Sequence, residues 1–220
     1  MKILVRTSLM VLVTILVGFV VLSCSSPNNN GVSQGQIQQA FEGFVSGAGQ
    51  VSSGGSLSVQ PPPPEYIYTY TLTESGGGSI TLVLKSTANI QSFSTSESGN
   101  FAGSYITFTN FSGDGYTFNG TVGISGGFSI TTGSSYPYLC NLTYDYSGSV
   151  NVSGAASFTI DFSFSVAASA NADRYGDFYS FASGPTYSGT VSANGQTYNI
   201  GSLSANVAPM SMGRLIFGKK

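Results

Sequence analysis

Histidine and tryptophan are absent from this 220-residue chain, and charged residues make up only 7% of it. The lack of histidine removes the commonest general base, the Ser–His nucleophile pairs and most zinc sites at once. Only Asp and Glu remain as acids or bases. Globular domains usually carry ~25% charged residues, so solubility here must come from Ser, Thr, Asn and backbone groups. Seven cations face nine acids with no basic stripe, which argues against nucleic acid as a partner and against electrostatic docking on anionic lipid. Cysteine is scarce too: Cys24 and Cys140 are the two.

What is present begins with a greasy leader. Lys2 and Arg6 precede an apolar run from Leu9 to Leu22, relieved only by Thr14 and Gly18, after which Ser, Pro, Asn and Gly take over. A charged start, a short apolar middle and a small residue before a cut are the parts of a secretory signal. The closing tetrapeptide, Val21-Leu22-Ser23-Cys24, resembles the lipobox of bacterial lipoproteins. That resemblance implies cleavage between Ser23 and Cys24, a thioether-linked diacylglycerol on Cys24 and acylation of the new amino terminus. Each buried methylene contributes ~0.8 kcal/mol, and three acyl chains make a stable anchor where one holds only marginally. Ser25 rather than Asp follows the cysteine. In that family this implies the outer membrane, on its periplasmic or surface face, where the cell has two membranes. Two other readings stay open: an uncleaved transmembrane helix over 7–23, since roughly 17 residues is the lower limit for a span, and a plain signal peptide with Cys24 incidental. Loss of Lys2 and Arg6 leaves five of the seven cations against nine acids, a net charge of −4. With Cys24 lipidated, Cys140 has no disulfide partner and reads as a small core residue.

Residues 24–65 read as a tether. Ile37, Ala40, Phe41, Phe44 and Val45 fall at helical spacing, predicting a short amphipathic helix over about 34–46 with Gly47 and Gly49 as stops. Pro61 to Pro64 predict a stiff polyproline II spacer. From Tyr66 to Lys220 the period changes to two, clearest in Phe158, Ile160, Phe162, Phe164 and Val166 alternating with Thr159, Asp161, Ser163 and Ser165. Strands are expected at 66–73, 80–84, 104–111, 115–124 and 127–132. Further ones follow at 139–152 paired with 157–168, and at 185–193 paired with 196–204 about the Asn194-Gly195 hairpin signal. Three similar pieces, Phe118-Asn119-Gly120-Thr121-Val122, Tyr146-Ser147-Gly148-Ser149-Val150 and Tyr187-Ser188-Gly189-Thr190-Val191, predict glycine bends in a curved sheet.

The resulting fold class is all-β: an antiparallel meander of about ten strands curled into a barrel-like or sandwich domain, preceded by a short helix. Alternation leaves barrel and sandwich both open. It also leaves open whether the apolar face turns inward to a core or outward to lipid. The chain ends Phe217-Gly218-Lys219-Lys220, without the terminal aromatic of outer-membrane barrels, which favours the inward reading.

No catalytic residue stands out. Glu74 and Asp114 fall at turns, Asp145 and Asp161 on polar strand faces. Asn171, Asp173 and Asp177 occupy the first, third and seventh places of a loop with Gly176 sixth, a faint match to a calcium loop. Tyr175 in a donor place and Ala182 at the twelfth argue against it. No cofactor is implied, and the 13 Tyr and 15 Phe read as core. The leading expectation is a membrane-anchored exported lipoprotein presenting a non-enzymatic β domain for structural or binding work at the cell envelope, with an envelope protein, a glycan or an apolar molecule as partner. The alternatives are a carrier or chaperone of a lipid or other apolar ligand, and a carboxylate-based hydrolase.

Overall fold

The computed structural model describes residues 31–62, 64–89, 97–131, 138–172 and 178–203. The leader, Cys24 and the lipobox lie outside them. In chain order the elements are α1 (Gln34–Gly54), β1 (Ser56–Gln60), β2 (Tyr66–Thr73), β3 (Ser79–Ser86), β4 (Ser98–Asn100), β5 (Ser104–Gly113) and β6 (Tyr116–Thr131). They continue with β7 (Tyr138–Gly154), β8 (Phe158–Ala172), β9 (Phe178–Ala193), β10 (Gln196–Asn199) and a helical turn, α2 (Ile200–Leu203). The ten strands form one antiparallel sheet, in the order β1-β2-β3-β5-β6-β7-β8-β9-β10, with β4 laid on β6 beyond the end of β5. Each strand pairs with its neighbour in sequence apart from that detour, as short turns require. Two of the turns have both central residues at positive φ: Asp114-Gly115 (50° and 82°) and Asn194-Gly195 (50° and 76°). That backbone matches the right-handed twist of the flanking strands.

Among the described residues no ladder joins β1 to β10, so the sheet is curled but not closed. The curl shows in how far one ring reaches. Phe44 of α1 lies 5.2 Å from Phe108 of β5 and 4.4 Å from Phe162 of β8, centroid to centroid. In a flat sheet those strands would be about 14 Å apart. Glycine permits the bend. Gly120 and Gly148 sit at φ 147° and 141°, and a Cβ on either would stand 2.6 Å and 2.8 Å from a carbonyl oxygen of the facing strand. Gly189 has the same character at φ 106°. All three come from the recurrent aromatic–x–Gly pieces.

The alternation fixes what each face carries. On the concave side Tyr70, Leu82, Ile106, Val122, Phe162 and Val191 lie in one cross-strand row and are buried. One residue along, on the convex side, the row reads Thr71, Thr81, Thr107, Thr121, Ser149, Asp161 and Ser192. The apolar face therefore turns inward.

Helix α1 covers that concave face. Ser33 caps it: its hydroxyl accepts from the Gln36 amide at 3.3 Å, while the Gln36 side chain accepts from the Ser33 amide at 2.8 Å. Ile37, Ala40, Phe41, Phe44, Val45, Ala48 and Val51 are all buried. Phe41 meets Phe164 edge-on at 5.7 Å, and Phe108 continues the contact to Phe111 and Phe118. Burying each Phe contributes ~1.5–3 kcal/mol, and favourable ring pairs add ~0.5–1.5 kcal/mol.

This corrects three expectations. The helix does not stop at residue 46 but runs 21 residues. Gly47 is not a stop; it is the point of closest approach, where a Cβ would lie 2.8 Å from Phe111 and 3.0 Å from Ile80. Residues 34–60 are not tether, because α1 shares the sheet's hydrophobic core and β1 pairs with β2 in full register. The proline run belongs to the β1–β2 connection instead of acting as a free spacer. Smaller differences follow from continuity. The stretches 115–124 and 127–132 are one strand, bent at Gly126 (φ 105°), and the last strand ends at Asn199 where α2 begins.

Gly47→Ala tests this packing. Alanine favours a helix by ~1 kcal/mol, yet here overpacking at ~1–3 kcal/mol should win and lower the urea midpoint. Gly54→Ala, with nothing within 4 Å of its Cβ, should show no loss. Equal effects at the two sites would mean α1 does not press on the sheet.

Candidate functional site

The carboxylates weighed from sequence are dispersed. Asp161 accepts from Ser149 Oγ and Asp145 from Ser165 Oγ, each at 2.5 Å across the β7–β8 ladder on the convex face. Their registers, Asp145 opposite Ser165 and Asp161 opposite Ser149, set them four residues apart along the strands, about 13 Å. That exceeds the ~5–9.5 Å at which paired carboxyls cleave glycosides. Glu74 accepts from the Ser112 amide at 3.0 Å and Asp114 sits in its turn. Of the calcium-loop candidates, Asn171 lies in β8 opposite Leu139 and Ser180, whereas Asp173 and Asp177 lie outside the described residues. Among the described residues no three His, Cys, Asp or Glu side chains gather as a metal site.

The convex face is a lattice of hydroxyl and amide groups that bond in pairs. Thr107 joins Thr121 at 2.9 Å, Thr159 donates to Asn151 at 2.8 Å, and Ser169 donates to Asn141 at 2.6 Å. Ser192 joins Thr197 at 2.9 Å. These contacts explain how a face with so little charge stays polar and ordered.

Inside, the buried polar groups are nearly all satisfied. Ser104 Oγ accepts from the Lys85 amide at 2.8 Å, and Tyr68 Oη donates to Asn89 Oδ1 at 2.9 Å. Three phenols break the pattern. The hydroxyls of Tyr116, Tyr144 and Tyr187 are buried with no hydrogen-bond partner among the described residues. Leaving such a donor unpaired costs ~1–3 kcal/mol, so each needs an explanation. Tyr116 stands apart, against Phe158 at the turn end of β6. The other two belong to one patch. Tyr144 pairs with Val166, which pairs with Tyr187, so both phenols share a concave row two strands apart. Phe101 stacks on Tyr144 at 5.1 Å and 12°, and the neighbouring Tyr146 stacks on Phe164 at 4.8 Å and 14°.

Electrostatics define the patch further. Burial pushes Tyr144 and Tyr146 well above the usual phenol range; Tyr146, then Cys140 and Tyr70, add to the shift of Tyr144, and Tyr187 adds to that of Tyr146. Tyr70 is on β2, four strands from β7 in the sheet order. Burial also pushes the Cys140 thiol from its ordinary value near 9 up to about 12. These phenols are therefore neutral donors at physiological pH, and Cys140 is not a nucleophile there. The only cation among the described residues, Lys85, pairs with Glu65 at 3.6 Å. Sequence patterning gave these tyrosines no role beyond core. The available signal was a hydroxyl-bearing ring at positions where alternation demands burial.

Comparison with known protein families, with curated proteins and with solved structures gave no match.

Raised acid constants fix a pH dependence. Below about pH 8 the Cys140 thiol is protonated whether folded or unfolded and contributes almost no slope. Between 9 and about 12 the unfolded chain sheds a proton that the folded chain keeps. Stability should then fall by up to ~1.4 kcal/mol per pH unit on account of this thiol, with the buried tyrosines adding their share as the pH approaches and passes 10. Urea melts of Cys140→Ala should show a shallower fall than the native chain between pH 9 and 10; an unchanged slope would contradict the assignment.

Proposed function

We propose that the protein is an exported lipoprotein, anchored through Cys24 to the outer membrane, whose β domain does structural or binding work at the cell envelope without catalysis. The observation that carries this reading is the charged, apolar and small-residue leader closing on Val21-Leu22-Ser23-Cys24. The fold supports it in one respect. Val32 already belongs to the hydrophobic core and Ser33 caps α1, so seven residues, 25–31, lie between the anchoring sulfur and the domain. Seven residues span at most about 25 Å, which keeps the domain beside the bilayer.

A second reading, a carrier of an apolar molecule, is favoured by a separate observation: the buried, unpartnered hydroxyls of Tyr144 and Tyr187. The two readings are compatible, since an anchored domain can also hold a ligand.

Metabolic labelling with a radioactive fatty acid tests the anchor. The native chain should take up label and sediment with membranes, and Cys24→Ala should lose both. Labelling that survives the substitution would overturn the lipoprotein reading.

A further inference from the structure

We propose that the edge strand β1 is an interface between two copies of this chain, which join their β1 strands antiparallel about Ser58 and so continue one sheet across a twofold axis.

The first argument is what the edge offers. β1 ends the sheet, paired with β2 on one side and with no described strand on the other. An open edge presents unpaired amide and carbonyl groups, and proteins usually blunt it with charge, proline or a bulge. Ser56–Gln60 contains no charge and no proline, and its register with β2 is unbroken. Leu57 and Val59, each 42% exposed, are the most exposed large hydrophobic side chains among the described residues. They lie opposite Tyr70 and Tyr68, on the concave side, so they carry the core's face to a border that the domain leaves open. Neither β1 nor β2 holds a charged residue, so two copies meet there without like-charge repulsion.

The second argument is that the strand is complementary to itself. A continued sheet must match concave side to concave side, which limits the register to one centred on a residue. Centred on Ser58, all five residues pair: Leu57 of each copy faces Val59 of the other, Ser56 faces Gln60, and Ser58 faces itself. Apolar then meets apolar and polar meets polar. One step further Gly55 would face Pro61, which has no amide to donate, so the ladder ends there. The same patch serves both copies, and such a contact closes as a dimer. Five residues a side fall well short of the ~20–30 of a stable interface. The dimer is therefore weak in dilute solution and favoured where copies are concentrated.

The test is a cysteine scan of the full chain under mild oxidation at high protein concentration. Facing Cα atoms of an antiparallel pair stand ~4.5–5.5 Å apart, inside the ~4.4–6.8 Å that a disulfide spans. Cys140 is fully buried and stays out of the reaction. Ser58→Cys should yield disulfide-linked dimer at least tenfold above the native chain. Ser56→Cys and Gln60→Cys should each stay at the native level, and an equal mixture of the two should cross-link. Adding Val59→Lys to Ser58→Cys sets an ammonium against Leu57 of the other copy and should cut the yield at least tenfold, with the urea midpoint of the monomer nearly unchanged. No cross-link at Ser58→Cys, the result if another segment or another protein occupies the edge, would overturn the proposal. Equal cross-linking at all three positions would overturn it too. So would filaments of the native chain in electron micrographs, which would assign β1 to the β10 edge of the next copy.

Discussion

The structure depends on one contact: the phenylalanine edge of helix α1 seated in the hollow of a bent sheet. Phe41 and Phe44 bring together Phe108 from β5 with Phe162 and Phe164 from β8, strands that are not neighbours. A ten-stranded meander with a single apolar face must cover that face or bind something with it. Here the covering element comes from the chain's own beginning. Gly43 and Gly47 serve that fit, since a side chain at either would collide with the rings of Phe118 or Phe111. Two glycines inside a helix weaken it by ~1 kcal/mol each, and the packing they allow outweighs the loss.

Curvature follows from the same demand. Positive-φ glycines on β6, β7 and β9 let the backbone turn where a side chain would meet the next strand. The helix occupies the part of the hollow lined by Phe108, Phe118 and Phe162. Over Tyr144 the cover is Phe101, which stacks on it and also lies 5.7 Å from Phe128. Thus the hollow has two differently furnished parts. One is filled by phenylalanine and aliphatic side chains, and the other carries phenols. On the outside, the near absence of charge is met by cross-strand pairs of hydroxyls and amides, a different solution from the usual salting of a surface with Lys and Glu.

Much of this was legible before any coordinates. The period-two pattern of 158–166 gave a strand with one buried face, and Asn194-Gly195 marked a real hairpin, because these signals are local. The recurrent aromatic–x–Gly pieces did mark bends. What could not be read was which face of the sheet another element would cover. Phe41 and Phe44 show helical spacing, but spacing does not say whether the partner is a sheet, a protein or a membrane. Gly47 looked like a terminator because a glycine's local cost is visible in sequence and its tertiary fit is not. Strand β1 was missed for a similar reason: Ser56-Leu57-Ser58-Val59-Gln60 is an edge strand with every residue exposed or half-exposed, held by its ladder to β2 alone. For the site, Asp145 and Asp161, on which sequence reasoning spent part of its chemistry, lie on the outer face, and the unpartnered donors were counted among the core.

Hydrogen exchange of the α1 amides is the most direct measurement of whether this helix is the centre of the domain. If its side chains are the core, the amides of residues 38–51 should exchange as slowly as those of β7 and β8, through global unfolding alone. Exchange of the helix orders of magnitude faster than the central strands would show it to be a separate appendage, and the account of the fold given above would be contradicted.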